Sequence, residues 1–340
     1  VHVFDANGES IRSWGKRGTG DGEFDNPFGI TVSESGFVYV VDKNNNRIQV
    51  FSTEGVFLTK WGTQGSDPGQ FNSPHFITVS RTGLVYVADR LNNRIQVFNG
   101  FGQFIRQWGM PGSEPGQLLT PEGVAFDSED HLYVTDAGNR RVQVFSKDGE
   151  FLRSFAEQEA ENGQFAILGG ISIDENDQVF ITDYDTEQVL SFNKNGDFIR
   201  RWGEFGFIGE KMNNPWGIIA YNGQIWVADS SNNRVQLYNT QGTYIRGWQS
   251  QGSATGQFTV PHIAIGPNHI LYVADQENHR IQAFDQDGNT LGAFGEKGTG
   301  PRQFNQPTDI TFDTEDGMYV VDAINARVQV FSLTGEFIFS

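Results

Sequence analysis

Cysteine is absent from the 340-residue sequence, and this absence excludes a disulfide framework, thiolate metal sites and cysteine nucleophiles. No apolar run approaches the roughly 18 residues that a membrane-spanning helix needs. Basic residues are few, because 24 Lys and Arg stand against 42 Asp and Glu and give a formal net charge of −18. The electrostatic field of this negative charge repels phosphate backbones and favours cationic ligands or partners. Motifs of common catalytic sites are also missing, among them H-E-x-x-H, G-x-S-x-G and phosphate-binding loops.

The sequence begins without Met, at Val1 to Phe4, inside a strand-like pattern. We therefore expect that a signal or an upstream domain of the native protein has been removed. As a separate expectation, a secreted or cell-surface location is slightly favoured over a cytoplasmic one. Glycine (41 residues) and phenylalanine (29 residues) are abundant. Both suit a protein of many tight turns between strands that pack through aromatic side chains.

One stretch, Gly83 to Gly109, sets the pattern of the whole chain. It contains three short runs rich in β-branched and aromatic residues, cut by turn residues, which predict three strands. Its central Asp returns at intervals of 47, 47, 47, 46, 46 and 47 residues, at Asp42, Asp89, Asp136, Asp183, Asp229, Asp275 and Asp322. Repeated units with exposed apolar edges must stack into one array, so we predict a single repeat domain over residues 1–340.

Each unit reads as four strands, here called a, b, c and d. Strand a follows a proline, strand b ends in the repeated Asp, and strand c has the sequence motif R-I-Q-V-F or a close variant. Strand b is almost continuously apolar, as in Val38 to Val41, which predicts burial on both faces. A four-stranded sheet of this kind is not stable alone, and its closed solution is an all-β propeller of antiparallel blades.

The repeated sequence motifs resemble those of the NHL-repeat family. The resemblance rests on N-x-R-[IV]-Q-V-F, as in Asn46 to Phe51, on the P-x-G opening, and on the Gly-rich segment Gly62 to Phe71, and it extends over the whole chain. It implies a β-propeller that serves as a binding platform. Similar proteins include tripartite-motif RNA-binding proteins, secreted bacterial repeat proteins and, more distantly, zinc-dependent amidating lyases. Residues 1–24 form a half repeat, and full repeats begin near residues 25, 72, 119, 166, 213, 259 and 305.

The number of repeats is seven and a half, which leaves an extra pair of c and d strands. We expect seven blades. For the extra pair, either one hairpin is displaced, or an eighth position is half filled, or the half blade docks on another molecule. Since antiparallel strands alternate in direction, the long d-to-a loops share a face with the short b-to-c turns. Loops on a rigid scaffold carry function, so this face is the predicted binding surface.

Function is expected where the repeat varies, while the repeated Asp is expected to be scaffolding. The residue after the proline, or at its position in the fourth unit, varies widely among the units, and nearby turns add further side chains. The candidate partner-binding residues are Phe28, His75, Glu122, Trp216, His262 and Thr308, with Lys43, Arg90 and Tyr184 from the turns. Phe28 and Trp216 are the expected exposed aromatic anchors. An equally open reading is that this position merely tolerates any exposed residue.

From these residues we expect a binding scaffold for a protein, peptide or glycan partner, with no cofactor, no metal and no enzymatic activity. A catalytic zinc typically has three protein ligands that converge on it, and no third histidine shares the position of His75 and His262. Two alternatives stay open. Lys16, Arg17, Lys43 and Arg90 offer a local basic strip for single-stranded RNA, although the net charge opposes it. The N-terminal half blade could instead join copies of the chain into an assembly.

Overall fold

The computed structural model describes residues 2–4, 9–53, 55–156, 168–249, 257–266, 269–285, 289–313, 317–332 and 337–339. The fold is an all-β propeller of seven four-stranded antiparallel blades, as predicted from the repeat; the last blade lies within a six-stranded sheet. By backbone proximity the chain divides into two compact units. The first contains residues 1–87, 96–106 and 252–340, and the second contains residues 88–95 and 107–251.

The N-terminal hairpin and the first three blades contain strands β1 to β14. The hairpin strands are β1 (His2–Phe4) and β2 (Glu9–Trp14). Blade 1 has β3 (Pro27–Val32), β4 (Val38–Asp42), β5 (Arg47–Phe51) and β6 (Phe57–Trp61). Blade 2 has β7 (Pro74–Val79), β8 (Val85–Asp89), β9 (Arg94–Phe98) and β10 (Phe104–Trp108). Blade 3 has β11 (Pro121–Phe126), β12 (Leu132–Asp136), β13 (Arg141–Phe145) and β14 (Phe151–Phe155).

The remaining blades contain strands β15 to β32. Blade 4 has β15 (Leu168–Ile173), β16 (Val179–Asp183), β17 (Gln188–Phe192) and β18 (Phe198–Trp202). Blade 5 has β19 (Pro215–Tyr221), β20 (Gln224–Asp229), β21 (Arg234–Asn239) and β22 (Tyr244–Gln249). Blade 6 has β23 (Pro261–Ile265), β24 (Leu271–Asp275), β25 (Arg280–Phe284) and β26 (Thr290–Phe294). A two-stranded pair follows, β27 (Glu296–Lys297) and β28 (Gln303–Phe304), and the last blade has β29 (Pro307–Phe312), β30 (Gly317–Asp322), β31 (Arg327–Ser332) and β32 (Phe337–Phe339).

Short 3₁₀ turns join strands b and c in four blades. They lie at Arg90–Asn92, Ala137–Asn139, Ser230–Asn232 and Gln276–Asn278. None of the helices in the described residues is long and apolar enough to cross a membrane.

The burial pattern explains the sequence pattern of each strand. Every residue of strand b in blade 1, Val38–Asp42, is buried, whereas strand d, Phe57–Trp61, alternates between partly buried and exposed positions. Strand b therefore lies at the centre of its sheet with both faces covered, as its continuous apolar run predicts.

Two tyrosines of strand b each link their blade to the next one inside a unit. In the first unit the Tyr39 hydroxyl donates to the Gly100 carbonyl at 3.2 Å, and in the second Tyr133 donates to Lys194 at 3.1 Å. The Trp61 ring lies 5.4 Å from the Phe98 ring, so aromatic packing accompanies these hydrogen bonds. Neighbouring blades are thus joined through specific contacts as well as through apolar area.

The extra half repeat pairs within the chain. Trp14 of β2 lies opposite Val328, in the register that Trp61 and Ile48 occupy in blade 1. The C-terminal strand β32 pairs with β31 at Phe331 and runs parallel to β2. The N-terminal strand thus takes the register of strand d in the last blade, and the two candidate d strands share one six-stranded sheet.

Candidate functional site

The start of strand a is held by the turn of the preceding blade. Ser73, just before Pro74, has a left-handed φ of 52°, and its N–H donates to Asn46 Oδ1 at 2.8 Å. Thr120 has a φ of 47° and donates in the same way to Asn93 Oδ1 at 2.8 Å. A non-glycine residue in this conformation is uncommon and needs such support. The turn therefore fixes the position of the residue that follows each proline.

The repeated Asp belongs to a buried structural cluster. In six blades its Oδ2 accepts from the Nε of the Arg five residues later, at 2.5 to 2.9 Å. In blade 1, Arg47 also donates to the carbonyls of Thr19 and Gly20 at 2.7 Å each. Burial raises the pKa of Asp42, and hydrogen bonds from the Asp25 N–H and from Arg47 counteract this effect. The cluster clamps the d-to-a loop onto the blade, which agrees with the scaffolding interpretation.

In the first unit, the predicted residues of blades 1 and 2 form one aromatic and cationic cluster. The Phe28 ring stacks on His75, with 4.3 Å between ring centroids and 15° between planes. Lys43 Nζ lies 4.9 Å from the centroid of Phe28. Phe28 is half-buried and His75 is buried, so Phe28 is less exposed than the sequence analysis expected. Each aromatic ring covers part of the other, which leaves an amphipathic surface with a cation above it.

In the second unit, four of the predicted residues form two pairs. Arg90 Nε donates to Glu122 Oε1 at 2.5 Å, and Glu122 is buried. The Tyr184 and Trp216 rings lie 5.1 Å apart, and Trp216 is half-buried. Burial raises the pKa of Tyr184; the Glu122 charge adds to this effect and the Arg90 charge opposes it. Turn residues and strand-a residues therefore meet in this unit too.

The last two predicted positions lie in blade 6 and in the last blade, both in the first unit. His262 Nε2 lies 3.4 Å from Gln276 Oε1, and burial lowers the pKa of His262 to about 4. Thr308 Oγ1 is buried and has no hydrogen-bond partner among the described residues. Beside it, Asp309 accepts from the N–H groups of Ile310 and Ile30, and burial raises its pKa to about 7.

Asp309 is a titratable residue that the sequence analysis missed. At the same position, two residues after the proline, blades 1, 3 and 5 have Gly29, Gly123 and Gly217. Glycine at a repeated position indicates that little space is available for a side chain there. An acidic residue at such a position was therefore a sequence signal for a buried carboxyl group.

The cations of the expected basic strip lie near carboxylates. Lys16 Nζ is 3.1 Å from Glu23, and Arg17 is 3.7 Å from Asp25. With Arg90 bound to Glu122, three of the four cations have an acidic neighbour, which lowers the local positive potential. Over the described part of the chain, no group of three His, Asp or Glu side chains could hold a metal ion.

Comparisons with known proteins identify the repeat. The NHL-repeat model matches residues 24–51, 71–98, 118–145 and 212–238, and a model described as a 6-bladed beta-propeller matches residues 262–340. Protein lin-41 of Caenorhabditis elegans is 50% identical over 40 residues, which span 12% of this chain and 4% of that protein.

Solved structures with the same fold include enzymes. A catalytically inactive variant of virginiamycin B lyase from Staphylococcus aureus with quinupristin has a TM-score of 0.73 and 17% identity, covering 93% of this chain and 97% of that one. A streptogramin B lyase has a TM-score of 0.70 and 17% identity over 90% of this chain and 92% of its own. Hydrazine synthase of Kuenenia stuttgartiensis has a TM-score of 0.73 and 13% identity over 91% and 96%.

These likenesses correct the expectation that the chain is not an enzyme. At this identity they establish the fold alone, and the fold is one on which enzymes are built. The missing zinc ligands and nucleophile motifs excluded particular mechanisms. They gave no ground for excluding catalysis as a whole.

Proposed function

Because the chain carries NHL repeats on a seven-bladed β-propeller, we propose that it is a binding platform for a protein or peptide partner. The observation that supports this most is the pairing of turn residues with strand-a residues in each unit. Phe28 and His75 stack beneath Lys43, and Tyr184 packs on Trp216. Half-buried aromatic residues on a rigid scaffold are typical anchors of an interface, since they supply area at low entropic cost.

Rigidity of the surroundings supports the same proposal. Phe28 is the second residue of a strand whose neighbour, strand b, is buried at every position. The preceding residue pair, Asn26 and Pro27, has a constrained backbone, with a left-handed φ of 52° at Asn26. Anchors that are already in place bind with little loss of side-chain or loop freedom, so more of the contact energy appears as affinity.

A protein or peptide is favoured over RNA by charge. The net charge is −18, and the cations Lys16, Arg17 and Arg90 each have a carboxylate neighbour. A nucleic-acid ligand would need several phosphate contacts and would gain from counterion release. The half-blade assembly has less support, because β2 pairs with the chain's own β31 and β32.

The test is selection of binders from a displayed library of random 12-residue peptides, followed by titration of the enriched peptides. Truncation of a central interface aromatic typically costs about 2 kcal/mol or more, which is about thirtyfold in Kd. We therefore expect Phe28→Ala or Trp216→Ala to weaken the selected peptides by that order while the melting temperature stays close to that of the wild type.

The matched control is Phe101→Ala. Phe101 is 71% exposed and lies between strands c and d of blade 2, at the end of strand c away from the b-to-c turn. This variant should bind like the wild type. Equal affinity of all three variants would refute the chosen surface. Affinity for a random single-stranded RNA pool that falls steeply with salt would refute the partner class.

A further inference from the structure

The loop between blades 4 and 5 exposes a cluster of large apolar side chains. Phe205, Phe207 and Ile208 are 58%, 65% and 73% exposed. The two phenylalanine rings lie 5.3 Å apart in a T-shaped arrangement. Single exposed apolar residues are common on protein surfaces, but three within four residues form a continuous patch. We call these three residues the apolar loop patch.

The equivalent loops show that the repeat does not require apolar residues there. Counting from the glycine that opens each loop, four other described loops run from Gly15, Gly62, Gly109 and Gly295. The position of Phe205 is occupied in them by Arg17, Gln64, Pro111 and Lys297. The position of Phe207 is occupied by Thr19, Ser66, Ser113 and Thr299. The position of Ile208 is occupied by Gly20, Asp67, Glu114 and Gly300.

The backbone of this loop is nevertheless held as in the polar loops. The Gly206 N–H donates to the Met212 carbonyl at 2.9 Å, as Gly65 donates to Phe71 at 3.0 Å. Gly206 also has nearly the same φ, 158° against 154° for Gly65. The geometry that these loops share comes from main-chain hydrogen bonds and from the buried Arg beneath the loop, which here is Arg234. The three apolar side chains therefore contribute little to the loop's own conformation, and a partner that covered them would remove apolar area from water, which is favourable.

The size of the patch limits what can cover it. An aromatic side chain presents about 150–250 Å² when fully exposed, so the three side chains offer roughly 300–400 Å². A stable protein interface needs about 800 Å² on each partner. The apolar loop patch alone is therefore too small for a stable dimer of this chain, and it fits a short segment of another protein.

Charge selects the kind of segment. Glu204 and Glu210 flank the patch and are exposed, and Lys211 Nζ is 3.0 Å from Glu204, so the loop has a net negative charge. The whole chain is acidic, with a net charge of −18. Basic residues beside an apolar core would thus be attracted to this surface, whereas an anionic lipid surface would be repelled.

We propose that the apolar loop patch docks a short apolar segment of a partner protein that has basic residues on its flanks. This inference rests on the proposed function, because it names the segment that the partner would contribute. The loop leads directly into strand β19, which begins Pro215-Trp216, so the patch and the Trp216 that packs on Tyr184 belong to consecutive segments of the chain.

The test uses synthetic, fluorescein-labelled peptide pools. Each pool has six random apolar residues in the centre and either three Lys or three Glu on both flanks. The triple variant Phe205→Gln, Phe207→Ser, Ile208→Gly takes residues that this chain already uses in its other loops, so it should fold. Phe101→Gln removes an equally exposed phenylalanine elsewhere and is the matched control. Fluorescence anisotropy at physiological salt measures the binding.

We expect the wild type and Phe101→Gln to bind the Lys-flanked pool at least tenfold more tightly than the Glu-flanked pool. The triple variant should lose at least tenfold in affinity for the Lys-flanked pool. Equal binding by the triple variant and the wild type would overturn the proposal. So would a wild-type dimer in sedimentation that the triple variant abolishes, or binding to phosphatidylcholine vesicles that depends on the patch, since each would identify another occupant.

Failure of this inference can be told apart from failure of the proposed function. Suppose that Phe28→Ala weakens binding of the library-selected peptides and that the triple variant binds the Lys-flanked pool like the wild type. The proposed binding platform would then be retained, and the apolar loop patch would be rejected as a docking site. The reverse result would retain the patch as a docking site and reject the aromatic surface of the first unit.

Discussion

Replacement of one buried aspartate, Asp42→Asn, tests the account of how the loops are held. The Asp42 carboxylate accepts from Arg47 Nε at 2.6 Å, from Asn45 at 2.9 Å, from Gln49 at 3.2 Å and from the Asp25 N–H at 2.7 Å. Asparagine keeps the shape but replaces one acceptor by an NH₂ group that faces other donors. It also leaves a buried guanidinium without its counter-charge.

The expected loss follows from that uncompensated charge. Breaking a buried ion pair by removal of one partner costs about 3–5 kcal/mol. A protein of ordinary stability, about 5–15 kcal/mol, would lose a large share of it. The measurement is urea unfolding followed by tryptophan fluorescence and by circular dichroism, since agreement of the two probes justifies a single free energy.

The matched control is Asp21→Asn, because Asp21 forms an ion pair with Lys60 at the surface. The two side chains are 57% and 40% exposed, so we expect a change within about 0.5 kcal/mol. If Asp42→Asn were as stable as this control, the buried cluster would not be the clamp that holds the d-to-a loop, and the reasoning would be wrong.

Three further changes are predicted from single sites. Gly102→Ala should cost at least about 1 kcal/mol more than Gly83→Ala in urea unfolding, because a Cβ at Gly102 would lie 2.2 Å from the Trp61 ring whereas Gly83, with a similar φ, faces open space. Burial raises the pKa of Asp309 to about 7, so its contribution to stability is complete below about pH 4 and is lost as the pH rises through 7. The full shift corresponds to about 4 kcal/mol, and partial exposure of the carboxyl reduces this value. The Asp309→Asn variant should lose this part of the pH dependence of stability. Burial lowers the pKa of His262 to about 4, so its contribution is complete above pH 6.5 and is lost as the pH falls towards 4; a His262→Gln variant that kept the acid-side loss would contradict this assignment.

The sequence was sufficient to predict the blades because period and burial act together. Each interval of 46 or 47 residues between aspartates contains four strand-like runs, which predict four strands per unit. The apolar run Val38 to Val41 predicts that strand b is the buried centre of its sheet. These features are repeated seven times, so the local uncertainty of any one strand is reduced. The meeting of turns and strand-a residues was also predictable, because strand direction alone places them on one face.

Side-chain details within the site were not predictable in this way. Whether Phe28 is exposed or covered depends on the ring of His75, 47 residues later. The charge of Arg90 is directed to Glu122 of the following blade, which a count of basic residues cannot reveal. The raised pKa of Asp309 results from burial, and neither property is visible in the sequence.

The apolar loop patch was not predicted from the sequence, although Phe207 and Ile208 interrupt a polar pattern that four other loops share. The expectation of no enzymatic activity came from missing motifs, yet lyases with this fold cover 90% or more of the chain. A list of absent motifs excludes the mechanisms that use them and no others.

The most direct test of the binding platform is hydrogen–deuterium exchange of the wild-type protein with its tightest selected peptide bound. The account predicts slower exchange in the segments of the first unit that contain the starts of strand a and the b-to-c turn, such as residues 26–30, 43–46 and 74–77. The c-to-d turns, such as residues 99–103, should exchange as in the free protein. Protection confined to the c-to-d turns, or binding without protection at the strand-a starts, would contradict the account.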